Sequence, residues 1–355
     1  MSEEQGTQSL ETGVSCEIQS NVRIIASYLM ENSPEFRKLS SLRKEGWSRP
    51  EGDHHFQRQR KVADEADERT KAHFFRMMKN IAMDMQHSTG KLKLPGGGQG
   101  RILDTCMAPG GFLSVVLGRN PRATAVAFTL PPSAGGHEVR LPPGARVATH
   151  FVDITMLAED LGVMSIPSDH PEASGFLPKH LSLDQMFDLV ICDGQVLRTH
   201  HRHEYREPRE ARRLTVAQLA LGLDHLRPGG TMVVLLHKAE ATHTICLLRE
   251  FAQFSSVRLY KSSRYHAARS SFYMIATSVM SQSPEAIQCI ANWKAMWRTA
   301  TFGTEEDYVN LIRKETVDIE DTLVHFGPKL ISMAAGIWST QADGLAGAPF
   351  MKKKG

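Results

Sequence analysis

Residues 102–117 read ILDTCMAPGGFLSVVL. An apolar run ending in Asp104 gives way to a tight turn through Pro109, Gly110 and Gly111, and an amphipathic stretch follows. That order spells a strand, a turn and a helix. Glycines at a strand-to-helix turn let a ligand approach the backbone, and the helix start offers N–H groups with no partner inside the helix. The turn therefore predicts a small-molecule cofactor site. It has neither the G-x-G-x-x-G of a nicotinamide site nor the Lys and Ser/Thr of a phosphate-gripping loop. Taken alone, it also reads as a turn that merely connects two packed elements.

Working outward, strand-like stretches recur at 124–130 (TAVAFTL), 146–152 (RVATHFV), 187–192 (FDLVIC), 231–237 (TMVVLLH), 256–261 (SVRLYK) and 272–279 (FYMIATSV). Helical patterns separate them: GFLSVVLGRN after the first strand, VAQLALGLDHL before the fifth and THTICLLREFAQF after it. Strands alternating with helices predict a βαβ sheet, and several strands are almost wholly apolar, as parallel strands covered on both faces are. The last two strands lie too close in sequence for a crossover helix and must pair antiparallel. The expected fold is α/β, a Rossmann-like, mostly parallel sheet with an antiparallel last strand, over about Arg101 to Val279.

Helical patterns flank this domain. VRIIASYLM (22–30) and AHFFRMMKNIAMDM (72–85) carry apolar residues at helical spacing, and KLKLPGGGQG (91–100) breaks the chain before the first strand. Pro50 to Glu68 is charged, with Val62 its one large aliphatic, and reads as an exposed helix or linker. After Ser283, SPEAIQCIANWKAMW opens on a Ser-Pro-Glu helix start. The expected division is a helical, partly disordered region over 1–95, the α/β domain over 96–280, and a helical extension over 281–355 with a frayed tail, QADGLAGAPFMKKKG. The sequence carries no internal repeat.

Composition narrows the class. The 355 residues are 41% hydrophobic and 23% charged, the balance of a globular protein. No apolar run approaches the roughly 18 to 20 residues that cross a bilayer, and the opening MSEEQGTQSL is acidic and polar, unlike a signal peptide. The expected setting is intracellular, cytoplasmic or nuclear, with no membrane partner. Five cysteines without a C-x-x-C predict reduced thiols, and neither a zinc site nor a disulfide framework. A net charge of +3 is too small to imply a polyanion by itself, so the placement of charge matters more.

Two further motifs converge on the same end of the sheet. FDLVICDG delivers Asp193 to the carboxyl end of a strand, where ligands of open α/β sheets bind, so Asp104 and Asp193 are expected to flank one crevice. Asp193 taken alone reads equally as a helix cap. LRPGGTMVVLLHKAE ends a buried strand in His237 and Lys238; the lysine either snorkels to water or serves as a base, and the histidine reads as a core residue. Directly after Asp193, Arg198 to Arg213 holds six arginines and three histidines against three glutamates. That run fits either a phosphate-facing surface or a solvated helix laced by Glu–Arg pairs. Its histidines have no acid or cysteine at metal spacing in the sequence, so no metal is expected.

In order and spacing these motifs resemble the FtsJ-like family of ribose 2′-O-methyltransferases. The resemblance spans about Phe74 to Val279 and rests on D-x-x-x-A-P-G-G-F at Asp104 to Phe112, the Asp193 strand, PGGTMVVLLHK, and ARSSFYMIAT at 268–277. It implies S-adenosylmethionine as cofactor, held by Asp104, Ala108, Pro109, Gly110, Gly111 and Phe112, with Asp193 at the cofactor end of the crevice. Asp153, after HFV, matches the family's acid near the adenine amino group; it equally caps the helix opening at Ile154. Thr129 stands where many methyltransferases carry an acid for the ribose hydroxyls, so other groups must read the ribose.

The family's Lys-Asp-Lys-Glu catalytic set maps unevenly. Asp193 and Lys238 match its second and third members, Arg76 stands at the first, with Lys79 one turn later, and Ser271 replaces the glutamate. The resemblance implies methyl transfer to an RNA ribose hydroxyl with Lys238 as base and RNA as partner. The incomplete set leaves two alternatives: a cofactor- or RNA-binding pseudoenzyme, and a methyltransferase acting on a small molecule or protein.

Overall fold

Seven strands form one sheet in the order β3-β2-β1-β4-β5-β7-β6. Their ranges are β1 Arg101–Asp104, β2 Thr124–Thr129, β3 Val147–Phe151, β4 Phe187–Cys192, β5 Leu226–His237, β6 Ser256–Tyr260 and β7 Ser271–Val279. The first five run parallel; β7 inserts antiparallel between β5 and β6. This computed structural model describes residues 19–351 apart from 143, 145 and 315–317. The expected loose N-terminus up to residue 18 and the last four residues lie outside the described residues.

The helices are α1 (described over 19–32), α2 (Pro34–Trp47), α3 (Pro50–Asp64), α4 (Glu68–Thr89), the single turn α5 (Pro95–Gly98), α6 (Gly111–Arg119), α7 (Glu210–Asp224), α8 (Thr242–Phe254), α9 (Pro284–Phe302), α10 (Glu305–Lys314) and α11 (Ile319–Ala346). Their ends obey local chemistry. The Asp67 carboxylate accepts from Thr70 N to start α4, left-handed Gly90 stops it, and Ser283 accepts from Ala286 N to start α9.

Side-chain alternation along the strands builds a core on each face of the sheet. Ile102, Leu189, Ile191, Val233 and Ile275 pack toward α4 and α6. Leu103, Val190, Cys192, Met232, Val234 and Met274 pack on the other face, with α7, α8, α9, α11 and α2. The flanking helices are thus part of the core: Phe36 of α2 meets Trp338 of α11 edge-on at 5.2 Å between ring centres, and buried Trp297 of α9 donates to the Thr155 carbonyl at 3.0 Å.

One expectation fails at the C-terminus. Residues 341–346 continue α11, and Phe350 and Met351 are buried; the Phe350 ring lies 5.2 Å from His55 and 5.7 Å from Phe56 of α3. Two large apolar side chains have a groove to fill, so the chain stays packed to residue 351. The four described cysteines are free thiols.

Candidate active site

The strand order reverses direction between β1 and β4, and a crevice opens at their carboxyl ends. There a cavity of ≈ 1530 Å³ is lined by the turn residues Ala108 to Phe112, by Thr129, Asp153, Asp193 and Ser271, and by Arg76 from α4. Single-ligand pockets commonly measure about 300–1,000 Å³. A cofactor and an acceptor group both have room.

The turn is built for close packing as much as for a ligand. Gly110 is left-handed (φ 94), and a Cβ there would lie 2.9 Å from Leu141 Cβ. A Cβ on Gly111 would collide with the Phe75 carbonyl oxygen and lie 3.0 Å from Met78 Cβ, so this glycine is what lets α6 sit against α4. Behind the turn, Phe112 and Tyr273 rings stand 5.8 Å apart.

Asp193 and Asp104 have no ion-pair partner among the described residues. Burial raises the Asp193 carboxyl to about 7. Burial and the Asp193 charge together raise Asp104, which accepts from Cys106 N at 3.2 Å. Asp104 is 1% exposed and is not among the residues lining the cavity, where direct contact with a ligand was expected of it. Two uncompensated acids suit a ligand carrying positive charge, as a sulfonium does.

Asp153 is more tightly held than expected. Its Oδ1 accepts from Thr155 N and Oγ1 at 2.9 and 2.8 Å, and its Oδ2 from Arg206 Nη2 at 2.6 Å. Burial would raise this carboxyl, but the Arg206 guanidinium outweighs it and holds it below the usual range. It is both a cap and a cavity-lining acid. His200 lies 3.4 Å from Asp153 Oδ2 and 3.9 Å from Glu210 Oε1, so the run's first histidine does meet two acids, one from another element. The cation among them is Arg206, 2.6 Å from Glu210 Oε1 as well.

In the basic run 198–213 the expected Glu–Arg pairs form at helical spacing, but in the interior and not on a solvated face. Arg206, Arg209 and Arg213 are buried and bound to Glu210, Glu305 and Thr301 among others, and Arg202 pairs with Glu207 at 2.6 Å. Arg198 reaches the cavity and pairs with Asp64 of α3 at 2.7 Å.

Lys238 does not line the cavity. Strand β5 turns Val233 and Leu235 to the α4 face, and Leu235 fills the cavity wall; His237 ends the ladder opposite Ser271. Lys238 comes one residue later, left-handed (φ 47) and exposed, its N–H on the Ser270 carbonyl at 3.1 Å. The shift in parity carries it away. His237, expected in the core, is exposed and bonded to Gln195 Oε1 at 2.7 Å. Lys79 also misses the cavity; its Nζ stands 5.8 Å from the Phe75 ring centre.

Two lysines do line the cavity: Lys71 of α4, which pairs with Glu68, and Lys261, just past β6. The Lys261 ammonium donates to the carbonyls of His266, Arg269 and Ser271 at 3.1, 2.6 and 2.6 Å, which uses all three donors. Burial, with Arg43 nearby, lowers it to about 7. A lysine closing the strand SVRLYK was the only sequence signal for it, and a strand-end lysine more often snorkels.

Residues 78–279 match the family model described as FtsJ-like methyltransferase. The chain belongs to the FtsJ-like methyltransferase family. Its cofactor is S-adenosylmethionine, and the uncompensated acids beside the turn fit that cation. No curated protein matches this FtsJ-like chain in sequence. Among solved structures it is similar to a Plasmodium falciparum protein assigned as a ribosomal RNA methyltransferase, at 16% identity and TM-score 0.37, over 57% of this chain and 96% of that one. It is similar to an O-methyltransferase family protein from Burkholderia thailandensis at 14% and 0.34, over 69% and 71% of the two chains. Human methyltransferase-like protein 13 in complex with SAH aligns at 12% and 0.31, over 64% and 92%. No helix among the described residues is long and apolar enough to cross a membrane.

Proposed function

We propose that this FtsJ-like methyltransferase methylates a ribose 2′-hydroxyl of RNA, with Asp193 as the proton acceptor. The observation carrying this reading is that one ≈ 1530 Å³ cavity is lined both by the Ala108–Phe112 turn and by Asp193, with space beyond a single cofactor. The cofactor supplies an electrophilic methyl group on a positively charged sulfur. The chain must hold that methyl and the acceptor oxygen in line and take the hydroxyl proton. The turn, Thr129, Asp153 and Tyr273, which all line the cavity, would hold the cofactor. A carboxyl at about 7 is far better matched to accept a proton at neutral pH than an ordinary one. Arg76 at the wall orients the acceptor, in place of the family's lysine.

The test is transfer of labelled methyl from S-adenosylmethionine to a panel of capped and structured RNAs, small molecules and proteins. Label recovered in 2′-O-methylated nucleotides is expected. Label in a small molecule or protein alone contradicts the RNA assignment.

A second reading, a cofactor- and RNA-binding pseudoenzyme, is favoured by Ser271 in the glutamate position and by the exclusion of Lys238 from the cavity. Wild type that binds cofactor and RNA yet transfers nothing supports it. Activity gained in Ser271→Glu, whose carboxylate would enter the same cavity, identifies the missing group.

A further inference from the structure

Part of the cavity wall comes from residues that precede the matched region. Helices α3 and α4 contribute Arg58, Arg69 and Arg76, and the β6–β7 loop contributes Arg269. All four are exposed, and none forms an ion pair among the described residues. The acids of the same rim are committed elsewhere: Asp64 to Arg198, Glu68 to Lys71 and Arg140, Glu138 to Arg140. Asp67, beside Arg69, caps Thr70.

Like charge gathers around Arg269 and His55. Burial and then the charges of Arg60 and Arg198 lower Arg269, and Arg58 and Arg269 add to the burial that lowers His55. Like charges gathered with so little compensation favour a polyanion, which relieves their repulsion. Arginine suits phosphate through its paired N–H fork.

The wall is braced across the cavity. Gln59 Oε1 accepts from Arg269 Nη2 at 2.8 Å, and Asn80 Nδ2 donates to the Tyr265 hydroxyl at 2.6 Å, tying α3 and α4 to the β6–β7 loop. Phe74 and Tyr265 line the same cavity as these cations. Cations with interleaved aromatic rings are the chemistry of single-strand binding, where phosphates track the charge and unstacked bases meet the rings.

We propose that α3, the first half of α4 and the β6–β7 loop form a wall that grips the phosphates of single-stranded RNA next to the nucleotide in the cavity. This rests on the RNA reading above. A hydroxyl has to reach half-buried Asp193 within a cavity walled by these helices, so the strand enters unpaired.

The test is binding of a labelled oligouridylate of about 12 nucleotides, measured by fluorescence anisotropy against salt with S-adenosylhomocysteine present, beside calorimetry of the cofactor. Arg58→Glu with Arg69→Glu is expected to weaken RNA binding about tenfold or more, leaving cofactor affinity in place. The milder Arg58→Gln with Arg69→Gln should flatten the salt slope by about 1.4, two phosphate contacts at about 0.7 each. Wild-type RNA affinity and slope in both variants would overturn the wall. A duplex of the same length bound as tightly as the single strand would overturn the unpaired entry. Wild type that binds cofactor and no RNA defeats the RNA reading itself along with this one.

Discussion

Arg206 donates from one nitrogen, Nη2, to Asp153 Oδ2 and to Glu210 Oε1, both at 2.6 Å, and so joins the end of β3 to the first turn of α7. The guanidinium also meets Glu172 Oε1 at 3.3 Å. Arg206→Met keeps an apolar stem and strands buried carboxylates. Breaking a buried pair from one side commonly costs about 3–5 kcal/mol. Arg213 still bonds Glu210 at 3.0 Å, which places the expected loss near the lower end. Urea unfolding measures it; a loss under about 1 kcal/mol would mean that water compensates the acids.

Asp193 and Lys238 should separate cleanly in kinetics. Asp193→Asn removes the proton acceptor and is expected to lower turnover by about 10² to 10⁴ with the fold intact. Lys238→Met, at an exposed residue outside the cavity, should keep more than about half of wild-type turnover. Single-turnover assays with saturating cofactor decide it. The opposite ranking would return the base to the lysine.

Cofactor affinity should depend on pH through Asp193. Burial raises its carboxyl to about 7, so its ionised fraction grows between pH 6 and pH 8. A sulfonium binds better beside a carboxylate, so S-adenosylmethionine affinity should rise from pH 6 to 8 and binding should release a proton. The product lacks that positive charge and should gain much less. Calorimetry in buffers of different ionisation enthalpy reads both; parallel pH profiles for the two ligands would falsify the electrostatic assignment. For stability the sign is the reverse. A carboxyl raised on folding favours the folded state at acid pH, and that contribution fades as pH climbs from about 4 to about 7.

Gly111→Ala tests the packing of α4 on α6. The new Cβ would run into the Phe75 carbonyl, a backbone atom that cannot swing aside. Overpacking of this kind costs about 1–3 kcal/mol, and here it should also push α4 and Arg76 outward. Lower thermal stability with weaker cofactor binding is expected. Gly118→Ala, with open space around its Cβ, is the control and should be neutral or slightly stabilising.

The sheet was legible because its strands carry their own signals. Apolar runs of strand length, punctuated by glycine and proline, fix where β1, β4 and β5 lie, and the short β6–β7 connection forces an antiparallel pair. The turn at 108–112 and the delivery of Asp193 to a strand end are equally local, and the structure brings them into one cavity. Tertiary structure decided everything that depends on parity and on distant partners. Lys238 falls outside the cavity because side chains alternate along β5 and the ladder ends at His237, one residue short. Asp104 is buried where β1 ends, its carboxylate accepting from Cys106 N. Arg206 and Arg209 are buried because acids from β3's end, from 172 and from α10 converge on them, and no window of sequence holds those partners together. Phe350 is packed because α3 supplies a groove from about 300 residues away. Local propensity names the elements; only burial, register and long-range charge determine which side chains share a site.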